Sequence, residues 1–328
     1  GAVTALGSDW NAFRHNIESG KTAISTMDNW NIYDDLNTKL GAPISGFEPP
    51  KHYSRKQTRT MGRVALMATA ASEMALQDSG LLDDPLLNSG RVGVAYGSST
   101  GSTSAIMDFS NMLINESMKG ITGTTYIRMM SHTTPVNIGI FFGLKGRIIT
   151  TSSACTSGSY GIGSAYELIK HGKQIAMLAG GAEELCASEA AIFDTLYATS
   201  IKNEYPEFTP RPFDEARDGL VVGEGAGTLI LEEREHAMAR NASIYAEILG
   251  FGTNSDGGHV TQPNQETMGI AMKLALEDAD ISPKDIQYIN AHGTATDVGD
   301  IAESNAVESI FGSKVPISTL KGHIGHTL

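Results

Sequence analysis

The grouping of apolar residues restricts this chain more than any other feature. Short runs at 91–97, 147–151, 174–179, 227–232, 244–249, 286–290 and 315–318 are mostly continuous rather than alternating with polar residues. A strand wetted on one face alternates, whereas a strand covered on both does not, so these runs predict buried strands. Between them the apolar period becomes helical. Val64, Ala68, Ala71 and Ala75 share a face of 61–78, which stops at Ser79-Gly80; Ile270, Leu274 and Ala275 share a face of 267–279. Strands alternating with helices predict α/β layering around largely parallel sheets. The charged stretch 232–240 reads as a solvated helix and a seam between 1–241 and 242–328. The second part is short for a matching α/β unit, and the chain stops inside a glycine-rich run at His326-Thr-Leu328. Further chain is expected beyond it, and a first strand before it.

Composition narrows the function. A net charge of −13 argues against general nucleic-acid binding, which needs a basic surface for phosphates. No apolar run is long enough for a membrane span, and no signal-peptide pattern opens the chain. Two cysteines make no disulfide scaffold, so a reducing, cytoplasmic setting is expected.

One of those cysteines is placed for chemistry. Cys155, in SSACTSG at 152–158, follows the strand at 147–151. Ile162, Ala165, Tyr166 and Ile169 then fall at helical spacing. The cysteine is thus expected on a strand-to-helix turn, where the helix dipole would lower its pKa and free N–H groups could hold an oxyanion. A buried free thiol in a tight turn explains the local pattern about as well. Cys186 has no such setting. Two further strand ends carry histidine in glycine-rich loops, His292 after 286–290 and His326 after 315–318. In open α/β sheets ligands gather beyond the carboxyl ends of strands, so the three could share one cleft. Zinc is the competing chemistry. Against it, His323-x-x-His326 lies in a loop, and neither an acidic ligand nor a second cysteine accompanies it. The glycine run GEGAG at 223–227 precedes a strand where a dinucleotide fingerprint requires a helix.

Six motifs occur in order along the chain: ACTSG at 154–158, GGAE at 180–183, RPFD with RDG at 211–219, GEGAG at 223–227, AHGTAT at 291–296 and KGHIGH at 321–326. Together they resemble the β-ketoacyl-acyl carrier protein synthases of the I/II group, within the thiolase-like condensing enzymes. The resemblance implies a duplicated α-β-α-β-α layered fold and a homodimer, with a heterodimer as the alternative. It implies Cys155 as nucleophile and His292 and His326 as donors to a malonyl-derived enolate, and Lys321 as a partner orienting the loop and Glu303. It also implies an acyl carrier protein as partner; its phosphopantetheine arm would be the only prosthetic group, meeting Thr294, Thr296 and Thr261. The family's glycine-rich Phe loop is missing from this chain. Ile106, after SSTGSTS at 98–104, and Phe193 resemble acyl-pocket positions. Arg55, Lys56, Arg59 and Arg63 form the clearest basic cluster and resemble the family's carrier-docking stretch, although Thr60 and Tyr197 stand where basic residues are common. A non-catalytic partner subunit of the same fold would lack the cysteine.

Overall fold

The computed structural model describes residues 1–258 and 262–328. From the N-terminus, β1 (Ala2–Thr4) leads into α1 (Trp10–Glu18), whose first turn is capped by the Asp9 carboxylate accepting from the Ala12 amide. Next come β2 (Ser25–Thr26), β3 (Leu40–Ala42), the single turn α2 (Arg55–Thr58) and the long α3 (Arg63–Asp78). The middle of the chain runs β4 (Val92–Gly97), α4 (Thr103–Asn115), α5 (Gly123–Met129), α6 (Thr133–Phe142) and β5 (Ile148–Thr151). Then follow α7 (Ser157–Lys170), β6 (Ala176–Glu183), α8 (Ala187–Thr195), β7 (Val222–Gly223), β8 (Gly225–Glu232) and α9 (Arg234–Ala239). The last part holds α10 (Gln265–Ala279), β9 (Ile289–Asn290), α11 (Asp297–Phe311), β10 (Ile317–Ser318) and the short α12 (Lys321–Ile324).

Five strands form the main sheet in the order β1-β8-β6-β4-β5. Strands β6, β4 and β5 are parallel, while β8 runs antiparallel to β6 and β1 antiparallel to β8. Half of this sheet therefore departs from the parallel expectation. β8 follows β7 after the single residue Glu224, and the strands β6 and β8 approach so closely that a Cβ on Gly180 would meet the Gly227 carbonyl oxygen at 1.9 Å.

Burial on both faces explains the unbroken apolar runs. Along β4, Val92, Val94 and Tyr96 face α3, packing with Val64, Met67, Ala68, Ala71 and Leu76. The intervening Ala95 faces α7 and packs with Ala165, Met177 and Ala179. Each fully buried Val, Leu or Met stabilises the fold by roughly 1.5–3 kcal/mol. On the α7 side the approach is close. A Cβ on Gly161 would sit 2.8 Å from the carbonyl oxygens of Ala95 and Gly180, so only glycine lets α7 approach its strands.

In the last part, β9 and β10 pair in parallel through two residues each, and α10 packs on α11. The run 244–249, expected as a strand, is not one. Apolar residues alone do not make a strand, and among the described residues nothing pairs with its backbone. It is tied to α7 instead, by the Tyr166 hydroxyl donating to the Leu249 carbonyl at 2.8 Å. Among the described residues no helix is long and apolar enough to cross a membrane.

Candidate active site

Cys155 stands between β5 and α7, on a turn the sequence anticipates. Ala154 takes a left-handed φ of 52°, an uncommon and costly conformation for a residue with a Cβ. Ser157 holds the turn: its hydroxyl donates to the Ala154 carbonyl at 2.7 Å and accepts from the Ser153 amide at 2.9 Å. The Cys155 amide donates to no other residue among those described, so it stands available to a substrate oxygen. One expectation needs correction. Burial pushes the Cys155 thiol up, and its own amide and the Lys321 charge only partly oppose this. Desolvation of the thiolate is the largest of the influences on it.

His292 follows β9 in a loop fastened from three sides. The Glu303 carboxylate on α11 accepts from the His292 and Gly293 amides at 2.7 and 2.8 Å. The Lys321 ammonium donates to the His292 carbonyl at 2.7 Å. Asp300 accepts from the Ala295 and Phe213 amides at 3.1 and 2.7 Å. Arg217 adds bonds to the carbonyls of Thr296 and Asp297. Asp300 and Arg217 were not singled out from sequence as supports. The only trace was the RDG motif, which says nothing of what the arginine holds. Lys321 and Glu303 both hold the His292 loop, and the Glu303 charge also acts on the Lys321 ammonium.

His326 is fixed by the first part of the chain. Its amide donates to the Val221 carbonyl at 2.7 Å, and its carbonyl accepts from the Gly223 amide at 2.8 Å, so it joins β7 as a bridge. Gly325 makes this possible. It has φ 70°, and a Cβ there would meet the Val221 oxygen at 2.9 Å. The His326 Nδ1 accepts from the Leu328 amide at 3.3 Å, which puts the ring proton on Nε2. That Nε2 is buried with no partner among the described residues. A buried donor left unpaired is costly and calls for a ligand acceptor.

The three groups meet. The Cys155 sulfur and a ring nitrogen of each histidine lie within 4.8 Å of one another. The two imidazoles meet edge to face, with centroids 5.3 Å apart. His292 has an edge open to solvent, but the protein around it still pushes its pKa down to about 4 by desolvation first and the Lys321 charge second. His326 is lowered well below the ordinary value by burial, then by Lys321 and His292. Both rings are neutral near pH 7 and can donate hydrogen bonds without carrying charge. Three such donors could also ligate a transition metal, but the Lys321 ammonium acts on all three and would oppose a second cation. His323 points elsewhere, its Nδ1 2.9 Å from the Lys21 carbonyl.

The remaining expected residues divide. The Thr294 and Thr296 hydroxyls face each other at 3.0 Å at the start of α11. Thr261 lies outside the described residues. Phe193, on α8, has its ring 6.4 Å from that of His326. Ile106 is half-buried on α4, directly after the hydroxyl-rich loop. Arg55, Lys56 and Arg59 are exposed on and beside α2, without an ion pair among the described residues. Arg63 departs from its expected docking role. It grips the buried Glu224 with two nitrogens at 2.7 and 2.8 Å and the Ile44 carbonyl at 2.9 Å, so its guanidinium is committed inward.

Comparison with known proteins decides the family. Residues 1–237 match the model of the β-ketoacyl synthase N-terminal domain, and residues 245–328 that of its C-terminal domain. The chain is a β-ketoacyl synthase. It is 36% identical to 3-oxoacyl-[acyl-carrier-protein] synthase 2 of Vibrio cholerae, over 98% of the chain and 78% of that protein. It is 34% identical to synthase 1 of Haemophilus influenzae, over 100% of the chain and 80% of that protein. A crystal structure of a β-ketoacyl synthase from Burkholderia phymatum is 56% identical and superposes with a TM-score of 0.98, covering the whole chain and 80% of its counterpart. A chain of the solved complex of the ketosynthase ApeO with its chain length factor ApeC, from Xenorhabdus doucetiae, is 26% identical with a TM-score of 0.79, covering 100% of this chain and 78% of its counterpart. The thiolase-like α/β fold of this synthase is thereby established, and with it the class of acyltransferase.

Proposed function

We propose that this synthase condenses an acyl group carried on Cys155 with malonyl-acyl carrier protein, releasing CO2 and a 3-oxoacyl thioester. One observation carries the reading: an orphaned imidazole N–H on His326 beside a cysteine whose own amide is free. In the first half-reaction the Cys155 sulfur bonds to the acyl carbonyl, and the carrier thiol leaves with the proton the cysteine gives up. The free Cys155 amide receives the transient oxyanion. In the second, malonyl thioester loses its carboxyl group as CO2, and the electron pair moves onto the thioester oxygen. Neutral His292 and His326 donate to that enolate oxygen. Its carbon then attacks the acyl carbonyl, and the C–S bond to Cys155 breaks. The attacking species is the thiolate, which the Cys155 amide and the Lys321 charge favour against the burial that opposes it.

Labelled CO2 release from malonyl carrier tests the reading. His326→Ala is expected to abolish release while Cys155 still acylates. A plain thioester hydrolase on the same groups would liberate free acid without CO2, and equal collapse of both half-reactions would remove the division of labour. A partner subunit that only shapes a pocket would not need Cys155 set against two imidazoles.

Several finer assignments belong to the same proposal. The phosphopantetheine arm passes the Thr294 and Thr296 hydroxyls, and Ile106 and Phe193 wall the acyl pocket. Arg55, Lys56 and Arg59 meet an acidic carrier, since an overall charge of −13 would otherwise repel one. The open edge of β5, where Ile148 is exposed, suits cover by a second copy or a related subunit. The cytoplasm, where carrier and thiol stay reduced, is the setting for this chemistry.

A further inference from the structure

The acyl side of the site contains something an alkyl chain does not need. Glu189 lies on α8 one turn before Phe193, so the two share a helical face, and Phe193 borders the His326 ring. Glu189 is 2% exposed. Its Oε1 accepts from the Thr100 hydroxyl at 2.7 Å, while its Oε2 is buried with no partner among the described residues. The Ser99 hydroxyl is a second buried polar group without a partner. The two belong to one network. Glu183 accepts from the Ser99 amide and from the Ser98 hydroxyl at 3.1 Å, and its Oε1 lies 3.1 Å from the same Thr100 hydroxyl, which has a single proton to give and so links the two carboxyls. The Ser99 carbonyl accepts from Ser131, whose hydroxyl lies 3.2 Å from that of Ser152, three residues before the nucleophile. A run of hydroxyls and carboxyls thus extends from the Cys155 turn to the face of α8 beyond Phe193. An open buried atom of this kind is costly unless a ligand fills it.

We infer that Glu189 and Ser99 form a hydrogen-bonding station in the acyl-binding region, and that the acyl chain this synthase accepts carries a hydroxyl group, aliphatic or phenolic. The inference rests on the condensing reading above. Burial, then the neighbouring Glu183 charge, raises the Glu189 pKa, so the side chain favours its neutral acid form. A neutral acid can both donate to and accept from a hydroxyl. An alkyl chain passing the same point would leave both groups unpaired, and sites built for a hydroxyl reject analogues lacking it strongly.

The test is Cys155 acylation followed by intact mass, using saturated acyl carriers and equal-length counterparts hydroxylated at the alkyl terminus or on a terminal phenyl ring. The wild-type chain is expected to acylate from one hydroxylated series at least about tenfold faster than from the saturated one. The faster series tells an aliphatic from a phenolic source. Glu189→Met is expected to reverse that ratio and Glu189→Gln to keep it. A wild-type preference for the saturated series, or one unmoved by Glu189→Met, overturns the station while leaving Cys155 as nucleophile. No acylation from any donor overturns the condensing reading and the station with it.

Discussion

At the residue scale the site works by keeping charge off its donors. Neutral imidazoles stabilise an enolate without creating an ion pair that would hold the product. His292 takes a proton near pH 4 in the folded chain and near its ordinary 6.5 when unfolded. The sign follows directly. Below about pH 6.5 the unfolded chain binds the extra proton, so this group's contribution to stability falls as pH drops towards 4, and is complete above 6.5. Decarboxylation is therefore expected to hold steady from pH 7 to about 5, and His292→Gln should flatten the acid limb of a thermal-melt series. A melt profile unchanged by that substitution would contradict the depressed pKa. Cys155→Ala is expected to abolish acyl-enzyme formation in an intact-mass assay, because no other thiol lies near the imidazoles. The sequence made Cys155, His292 and His326 legible because each sits in a short glycine-rich loop after an apolar run. It could not show how deeply the Cys155 thiol would be buried. The groups that gather round it, Lys321, His292 and His326, stand 137 to 171 residues away in the chain.

At the scale of elements, the chemistry depends on a few loops held by buried carboxylates. Glu303 carries two amides of the His292 loop, so Glu303→Ala leaves both without an acceptor. A loss of roughly 1–3 kcal/mol in loop stability is expected, read as a tenfold or greater fall in CO2 release with Cys155 acylation less affected. Arg63 and Glu224 pin α3 to the β7–β8 turn. Because the arginine is part-exposed, Arg63→Ala is expected to cost about 2 kcal/mol in denaturant unfolding, between surface and fully buried pairs. Sequence alone assigned Arg63 to a basic docking patch, since nothing in 55–63 marks which arginine meets a glutamate 161 positions later. The run 244–249 misled for a related reason: its apolar pattern is real, but strand formation needs a neighbouring backbone.

For the whole molecule, α3, the five-stranded sheet and α7 make the first layers, and the motifs gather at the carboxyl ends of β5, β9 and β10. This layering was legible from the alternation of runs; the direction of β8 was not, because apolar pattern carries no polarity. Arg55→Glu with Lys56→Glu is expected to raise the KM for carrier at least about fivefold at low salt, and less as salt screens the contact. An unchanged KM would place docking elsewhere. The His326 bridge to β7 has a consequence for how the protein fails. The catalytic imidazole is anchored by just two backbone bonds to a strand only two residues long, a pairing with little ladder to hold it shut. Fraying there would silence turnover while the sheet beneath stayed intact, so heat should extinguish condensation several degrees before ellipticity is lost.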